Sequence, residues 1–366
     1  MVGIPATILR KGTRIQPLSS FFPSIVLRRR CSSIFSTLHW SQKAKHESNH
    51  HHGVVVANCE RRSFASASTS SSDQSSTTKQ VVRSRSENLL DRVELVWEKN
   101  TGVCHVILNN PSKLNSLDMP MFEALVQAGK LIQADTSVRA VILSGKGRAF
   151  CTGLNVPAMV NETTTKHNYN PYKVLRQLLE RPTTGEQPAN LAQQVGYQWR
   201  QLPVPVICCL HGSCFGGGMQ IALGADFRFA TPDCRLSIME TKWGLIPDMS
   251  ASVTLRELVS IDVAKELTMT GRIITGQEAA ALGLVTRCVE DPMAEAHTFC
   301  QTIIEKSPDA VSLSKKLYQA TWIAVPEDYC LTVETELQKQ LLLSWNQIAA
   351  TGRNFGWKIP YFERKK

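Results

Sequence analysis

The chain has 366 residues, of which 43% are apolar and 20% are charged, so it can bury a large core and is not disordered throughout. Its net charge of +10 does not indicate a nucleic-acid-binding face, because residues 1–86 contain 13 basic and three acidic residues and hold the whole excess. The sequence has no apolar run of the roughly 18 to 20 residues that a membrane span needs. We therefore expect neither a nucleic-acid partner nor a transmembrane segment.

The first 86 residues are typical of an organelle transit peptide followed by a linker. They are rich in Arg, Ser and Thr, and the first acidic residue is Glu47. Arg62-Ser63-Phe64 followed by Ala65 resembles the pattern at which mitochondrial transit peptides are cleaved. We therefore predict a mitochondrial transit peptide over 1–64, with chloroplast as the second choice, and a disordered Ser/Thr-rich linker over 65–86. The alternative is a solvated tail that stays attached.

The eleven cysteines do not form a metal-binding or redox pattern. The sequence has no C-x-x-C pair, and Cys208 and Cys209 are adjacent in an apolar run. The odd number and the inferred reducing compartment favour free, mostly buried thiols. The run from His50 to His52 lies in the predicted tail without a second group of ligands. We therefore predict no metal site and no cofactor.

The folded part is expected to begin near Glu87 with a hairpin. Two apolar runs, 93–97 and 103–108, flank Asn100-Thr101-Gly102, whose residue types are typical of a turn. A helix is predicted over 120–132, where Pro120 suits the helix start and Gly129 weakens the helix. The periodicity also predicts short apolar strands over 138–143, 204–210 and 226–230.

The C-terminal third is predicted to be helical. Strand signals become sparse after Ser250, and Thr275 followed three residues later by Glu278 is a capping-box signature that opens a helix. Three further helical stretches are expected up to about Asn346. Alternating strands and helices followed by a helical part predict a single α/β domain over 87–366.

Three segments carry residues suited to chemistry: 147–154, 211–220 and 237–248. In the second segment, three glycines at 216–218 precede a predicted helix, whose first N–H groups can bind an oxygen that carries negative charge. The segment matches neither the G-x-G-x-x-G dinucleotide fingerprint nor a Walker phosphate loop. In the third segment, Glu240 and Asp248 lie among apolar neighbours, which raise the pKa of a carboxyl group and suit it to proton transfer.

In this order and spacing the three segments resemble the crotonase (enoyl-CoA hydratase/isomerase) superfamily, and the resemblance covers roughly residue 93 to the C-terminus. It implies a β-β-α spiral with a helical C-terminal part that packs homotrimers, often hexamers, and an acyl-CoA thioester as substrate. It also implies an oxyanion hole, formed by the backbone N–H groups of Thr152 and Gly217, that stabilises the thioester oxygen as it becomes an enolate. The substrate-binding residues that it implies are Lys113, Leu114, Asn115, Gly153 and Gln220.

The resemblance identifies Glu240 and Asp248 as catalytic. Hydratases of the family carry a second Glu where this chain has Gln220, which disfavours the addition of water. Moving a double bond needs only a base and an acid, which Glu240 and Asp248 can supply. Dienoyl-CoA isomerases of the family carry an acid at the position of Asp248, although they have Asp where Gln220 stands. We therefore predict an enzyme that isomerises the double bond of an enoyl- or dienoyl-CoA.

Several alternatives stay open at this point. The same Glu-to-Asp spacing occurs in the 3-hydroxyisobutyryl-CoA hydrolases of the superfamily, so a hydrolase and a hydratase are both alternatives. The Gln at position 220 also fits a catalytically silent protein that binds an acyl-CoA. Asp248 follows Pro247 and precedes a predicted helix, so it could instead be a helix N-cap. Residues 157–194 form a polar insertion that either shapes the acyl pocket or is inert.

Overall fold

A computed structural model describes residues 83–155, 176–181 and 188–365. Its main sheet has seven strands in the order β1-β2-β3-β4-β5-β7-β10, and a smaller sheet has the order β6-β8-β9. The predicted transit peptide lies outside the described residues, as does nearly all of the predicted linker. The strands are Arg83–Leu89 (β1), Val93–Glu98 (β2), Val103–Leu108 (β3), Ala140–Gly145 (β4), Val206–Leu210 (β5), Ser213–Phe215 (β6), Phe227–Ala230 (β7), Arg235–Ser237 (β8), Ile274–Thr275 (β9) and Arg287–Cys288 (β10).

The predicted hairpin is confirmed as β2 and β3, which pair antiparallel with Val93 opposite Leu108 and Trp97 opposite Cys104. Its turn places Asn100 at φ 65° and Gly102 at φ 74°, the left-handed region that Asn and Gly tolerate best. Strand β1 precedes the expected start of the fold and pairs antiparallel with β2. Its sequence, RSRSENL, has a single apolar residue, so it carries no hydrophobic pattern from which a strand could be predicted.

The centre of the sheet is parallel, with β3, β4, β5 and β7 in adjacent positions. Strand β5 is buried along its whole length, because both faces of the sheet are covered. One face packs against the larger core, which includes Phe122, Leu125 and Trp199. The other face packs against a smaller cluster that includes Phe229 and Cys300.

The helices are Met119–Ala134 (α1), Leu191–Gln201 (α2), Gly217–Leu223 (α3), Ala251–Leu258 (α4), Ile261–Thr270 (α5), Gly276–Ala281 (α6), Pro292–Ile304 (α7), Pro308–Thr321 (α8), Glu327–Leu341 (α9) and Trp345–Asn354 (α10). Helix α1 confirms the predicted helix and begins one residue earlier, because the Asp118 side chain caps it by accepting a hydrogen bond from the Met121 N–H. A Cβ atom on Gly129 would lie 2.2 Å from Oε1 of Gln198 on α2, so a larger residue would have to displace that side chain.

The C-terminal third is helical, as predicted. Thr275 accepts a hydrogen bond from the Glu278 N–H at 3.1 Å and so caps α6. Four helices follow instead of the expected three, and the last one ends at Asn354 rather than near Asn346. Helix α8 is fixed to the sheet by Lys315, whose ammonium group donates to Asp226 Oδ2 at 2.6 Å. None of the helices in the described ranges is long and apolar enough to cross a membrane.

Nine of the eleven cysteines lie in the described residues, where all nine are free thiols and seven are buried. The prediction of free, mostly buried thiols is therefore confirmed for this part of the chain. Burial raises the pKa of the Cys151 thiol to about 12, so this thiol stays protonated and unreactive near neutral pH.

Candidate active site

Glu240 begins a short 3-10 helix, Glu240–Trp243, that follows β8. The Thr241 hydroxyl donates to the Thr268 carbonyl at 2.8 Å and fixes this turn to α5. The Glu240 side chain is nearly buried, with 9% of the residue exposed. One carboxylate oxygen, Oε1, accepts a hydrogen bond from Gln220 Nε2 at 2.6 Å. The other oxygen, Oε2, is buried and has no hydrogen-bond partner among the described residues.

Gln220 lies on α3 and is only 1% exposed. Its Oε1 accepts hydrogen bonds from the backbone N–H groups of Met249 at 2.8 Å and Ala251 at 3.3 Å. Those two donors fix the orientation of the amide, so its NH₂ group must face Glu240. The predicted substrate contact of Gln220 is therefore corrected, because the side chain is occupied by protein groups and positions Glu240.

The two candidate carboxyl groups are desolvated and interact with each other. Burial raises the pKa of Glu240, although hydrogen bonds from its own backbone N–H and from Gln220 oppose that rise. The negative charge of Asp248 raises the pKa of Glu240 by a smaller amount. Asp248 is an exposed residue, yet the protein atoms around its carboxyl group also raise its pKa by desolvation. Both groups therefore hold a proton more readily near neutral pH than an ordinary carboxyl does.

The structure does not support the alternative that Asp248 caps a helix. Helix α4 begins at Ala251 and its N-cap residue is Ser250, whose side chain makes no capping hydrogen bond. No hydrogen bond from the Asp248 side chain to another described residue is found, so this carboxyl group is available at the rim of the site.

The three glycines at 216–218 are each required by close packing or by backbone conformation. Gly216 has φ 51°, and a Cβ atom on it would lie 3.5 Å from Glu240 Oε1, which places this turn beside the carboxylate. A Cβ atom on Gly217 would lie 2.7 Å from Leu117 Cδ1. A Cβ atom on Gly218 would lie 2.5 Å from the Cys151 carbonyl oxygen, so any larger residue would separate α3 from the 147–154 segment.

The backbone N–H of Thr152, the predicted oxyanion donor, is engaged within the protein. It donates to the Leu114 carbonyl at 3.2 Å, which disfavours Thr152 as a donor to a substrate oxygen. The N–H of Gly217, the other predicted donor, has no hydrogen bond within the described part of the chain. Its position at the first residue of α3 leaves it without a helical partner.

Among the described residues the Leu154 N–H also has no hydrogen-bond partner, and the sequence analysis missed it. Leu154 forms a parallel bridge with Leu117, in which the Leu117 N–H donates to Gly153 O at 2.8 Å and the Asn155 N–H donates to Leu117 O at 2.9 Å. In such a bridge the N–H of the central residue points away from its partner. Gly153, at φ 84°, brings this segment to Gly217, since a Cβ atom on Gly153 would lie 3.4 Å from Gly217 N.

Asn115, predicted to bind substrate, instead holds two loops together. Its side chain is fully buried and donates to the carbonyl groups of Lys146, Ala149 and Phe150 at 2.9 to 3.1 Å. Its Oδ1 accepts a hydrogen bond from the Asn110 N–H at 2.8 Å. This prediction is therefore corrected to a structural role.

The remaining predicted substrate-binding residues differ in exposure. Lys113 is exposed and Leu114 is half-buried, while Gly153 is buried and contributes backbone only. Most of the 157–194 insertion lies outside the described residues, so its role stays a prediction. Its described end includes Asn190, which caps α2 through a reciprocal pair of hydrogen bonds with Gln193.

Comparisons with known proteins find relatives that match most of the folded part of the chain. The sequence model of the enoyl-CoA hydratase/isomerase family matches residues 98–347. The peroxisomal Delta(3,5)-Delta(2,4)-dienoyl-CoA isomerase of Arabidopsis thaliana is 30% identical over 268 residues, which are 67% of this chain and 94% of that protein. The mitochondrial enzyme of the same name from Mus musculus is 30% identical over 58% of this chain and 64% of its own length.

Solved structures show the same fold. The crystal structure of an enoyl-CoA hydratase from Bacillus anthracis superposes with a TM-score of 0.65 at 25% identity, and the match covers 76% of this chain and 99% of that chain. The mixed α/β fold with C-terminal helices that the sequence resemblance implies is therefore confirmed.

The hydrogen bonds of Asn115 generate a prediction about stability. Asn115→Ala should lower the free energy of unfolding by about 2 to 4 kcal/mol, because it leaves the half-buried Asn110 N–H without its acceptor and removes the NH₂ group that the three carbonyl groups share. Alanine is also disfavoured at the left-handed φ of 53° that Asn115 adopts. Urea unfolding followed by circular dichroism measures the change. Asn109→Ala, at a half-buried neighbouring position, is the control and should stay within about 0.5 kcal/mol of the parent. Equal unfolding midpoints for Asn115→Ala and the parent protein would contradict the structural role of the Asn115 side chain.

Proposed function

This chain belongs to the enoyl-CoA hydratase/isomerase family, and from that premise we propose that it shifts a double bond within an enoyl- or dienoyl-CoA thioester. The observation that carries the proposal is the unpaired buried oxygen of Glu240 beside the glycine turn that presents the unpaired Gly217 N–H. Such an oxygen is suited to accept a proton from carbon, since no other group competes for it.

The reaction follows from these groups. The thioester carbonyl oxygen binds the N–H groups of Leu154 and Gly217, and Glu240 removes a proton from carbon 2. The two donors stabilise the resulting enolate, and each is typically worth about 3 to 4 kcal/mol in the transition state. Asp248 then gives a proton to the far end of the conjugated system, so the double bond moves while the composition of the substrate stays the same. After this step Glu240 carries the proton from carbon 2 and Asp248 is ionised. The starting state returns when Glu240 releases its proton and the exposed Asp248 takes one up from solvent.

The state of Gln220 supports isomerisation over the addition of water. A hydratase of this family uses two carboxylates to hold one water molecule, and here the second position is an amide. Both acceptor positions of that amide face backbone N–H groups, and its NH₂ group faces Glu240. Hydration is the second candidate function, favoured by the Bacillus anthracis neighbour that is named as a hydratase.

We also propose a homotrimer or a hexamer of this chain. Large apolar side chains are exposed on and after the C-terminal helices, including Trp322, Leu331 and Trp357. Exposed apolar area of this kind is typical of an interface between subunits. The exposed Lys113 and its neighbour Leu114 are proposed to contact the adenine end of CoA.

Import into mitochondria is proposed from the composition of residues 1–64 and is supported by the relative named as mitochondrial. We expect the full chain, expressed with a C-terminal tag in cells, to be recovered from mitochondria with a new N-terminus near Ala65. Mass spectrometry of the purified protein identifies that N-terminus. Arg62→Ala should move or slow the cleavage, whereas Lys79→Ala should not. Recovery from plastids or peroxisomes would contradict the proposal.

The proposed activity is tested with purified protein in deuterated water. We expect turnover of a 3-enoyl- or dienoyl-CoA with solvent deuterium in the product and no gain of water or loss of CoA, as read by mass spectrometry. Glu240→Gln should abolish isomerisation and deuterium exchange at carbon 2, because the base is lost. Asp248→Asn should stop isomerisation but leave that exchange running, because the enolate still forms and Glu240 returns the proton.

The pH dependence of the exchange reaction adds a second readout. Glu240 acts as a base only when ionised, so exchange should fall as the pH drops through its raised pKa. Removing the negative charge of Asp248 lowers the pKa of Glu240. In Asp248→Asn the exchange rate should therefore begin to fall at a lower pH than in the parent protein. Normal isomerisation by Asp248→Asn, or turnover by Glu240→Gln, would overturn the assignment of roles. Hydration of 2-enoyl-CoA without isomerisation would favour the second candidate.

Replacing single backbone amides by esters tests whether Leu154 or Thr152 is the oxyanion donor that acts together with Gly217. An α-hydroxy acid at position 154 removes the Leu154 N–H without changing its side chain, and kcat should fall about 100- to 1000-fold. The matched ester at position 152 removes only the hydrogen bond to Leu114, so it should lower stability by about 1 kcal/mol and leave kcat nearly unchanged. A large loss of kcat at 152 and none at 154 would restore Thr152 as the donor.

A further inference from the structure

A second cluster of polar side chains lies apart from the elements that carry the thioester site. Glu98 ends β2, His105 lies in β3 and His297 lies in α7. Glu98 Oε1 is 2.7 Å from His105 Nε2 and 3.2 Å from His297 Nδ1. One ligand atom from each residue lies within 4.8 Å of the other two. The hairpin and the helix thus bring together residues that are far apart in the sequence.

The cluster is enclosed but remains accessible from one side. The side chains of His105 and Glu98 are 7% and 9% exposed, whereas that of His297 is 29% exposed. The Thr101 hydroxyl donates to the second oxygen of Glu98 at 2.9 Å and fixes the carboxylate. A carboxylate whose outer oxygen is held by a neighbouring donor is the usual support for a metal-ligating oxygen.

We propose that Glu98, His105 and His297 form a binding site for a divalent transition metal of the zinc class. Two imidazole nitrogens and one carboxylate oxygen are ligands that Zn²⁺ prefers, and three protein ligands leave a fourth position for water. Ligands around a tetrahedral Zn²⁺ at about 2.1 Å lie about 3.4 Å from one another. The separations of 2.7 and 3.2 Å from Glu98 Oε1 would have to lengthen to reach that value, and the two histidine nitrogens lie within 4.8 Å of each other. Shifts of under about 1.5 Å in these side chains would therefore complete the ligand set.

The arrangement is poorly explained as an ion pair alone. Both histidines face the same carboxylate oxygen, and their rings are 5.2 Å apart, so two imidazolium charges would repel each other. The sequence analysis predicted no metal site, because Glu98 and His297 are too far apart in the sequence to form a recognisable motif.

The bound metal would join the β2–β3 hairpin to helix α7. These two elements lie on the side of the sheet that carries the smaller hydrophobic cluster, which includes Cys300. A ligand that binds only the folded state stabilises it in proportion to the logarithm of its concentration over its Kd. Metal binding at this site would therefore stabilise the folded state independently of the thioester reaction.

The test uses the full chain, with His50, His51 and His52 changed to Ser so that the tail cannot bind the metal. Calorimetric titration with ZnCl₂ should give one site per chain, and Zn²⁺ should raise the melting temperature. His297→Asn and Glu98→Gln should each weaken binding by more than about tenfold and abolish the rise. His211→Asn and Glu290→Gln, which remove matched groups elsewhere, should leave both measurements unchanged.

Two further measurements separate the site from nonspecific binding. CoCl₂ should give the visible bands of tetrahedral Co²⁺ without a thiolate charge-transfer band, because the nearby Cys300 is not a ligand. Thr101→Val should weaken Zn²⁺ binding about tenfold, and Thr101→Ser should restore it. If Glu98→Gln does not fold, the Zn²⁺ affinity of His297→Asn tests the proposal, because the His297 side chain is partly exposed. No saturable binding, equal affinity in His297→Asn and its background, or a thiolate band would overturn the proposal.

Discussion

The site depends on a buried amide that holds a carboxylate in one orientation. Gln220 cannot rotate, because Met249 and Ala251 donate to its oxygen from the segment that begins α4. Its NH₂ group therefore faces Glu240 and holds Oε1 at 2.6 Å. This chain of contacts connects α3, the turn at Glu240 and the start of α4, so the three segments that frame the site cannot move independently.

The parallel sheet brings the two proposed oxyanion donors together. Strands β4 and β5 are neighbours with Val141 opposite Val206, so the segments that follow them leave the same edge of the sheet. Those segments then pair again, because the Cys151 N–H donates to Ser213 O at 3.1 Å and the Phe215 N–H donates to Cys151 O at 2.9 Å. This second pairing aligns the Gly153 turn with the glycines at 216–218 and leaves the N–H groups of Leu154 and Gly217 unpaired.

Parts of the molecule with a strong local signal were predictable from the sequence. The β2–β3 hairpin and helix α1 have clear periodicity and turn or capping residues, and the three consecutive glycines indicate close approach of the backbone. Strand β1 was not predictable, since its pairing with β2 involves a polar sequence. The hydrogen bonds of Asn115 and Thr152 were not predictable for a different reason. Whether a side chain or an N–H is free depends on its hydrogen-bond partner, and both partners come from segments about 30 to 40 residues away.

The unpaired oxygen of Glu240 is best understood as a functional compromise. Leaving a buried oxygen without a donor costs about 1 to 3 kcal/mol, and a second amide that donated to Oε2 of Glu240 would remove that cost. The same second donor would stabilise the ionised carboxylate, lower its pKa and weaken it as a base. A proton on carbon is a poor hydrogen-bond donor, so a substrate cannot displace a donor that already occupies the oxygen. A base at this position must therefore be held through Oε1 alone, and Gln220 makes that hydrogen bond to the proposed base without adding a second charge. A Glu at position 220 would instead place two carboxyl groups in contact, which requires a shared proton or a bound water, and the chemistry would move toward hydration.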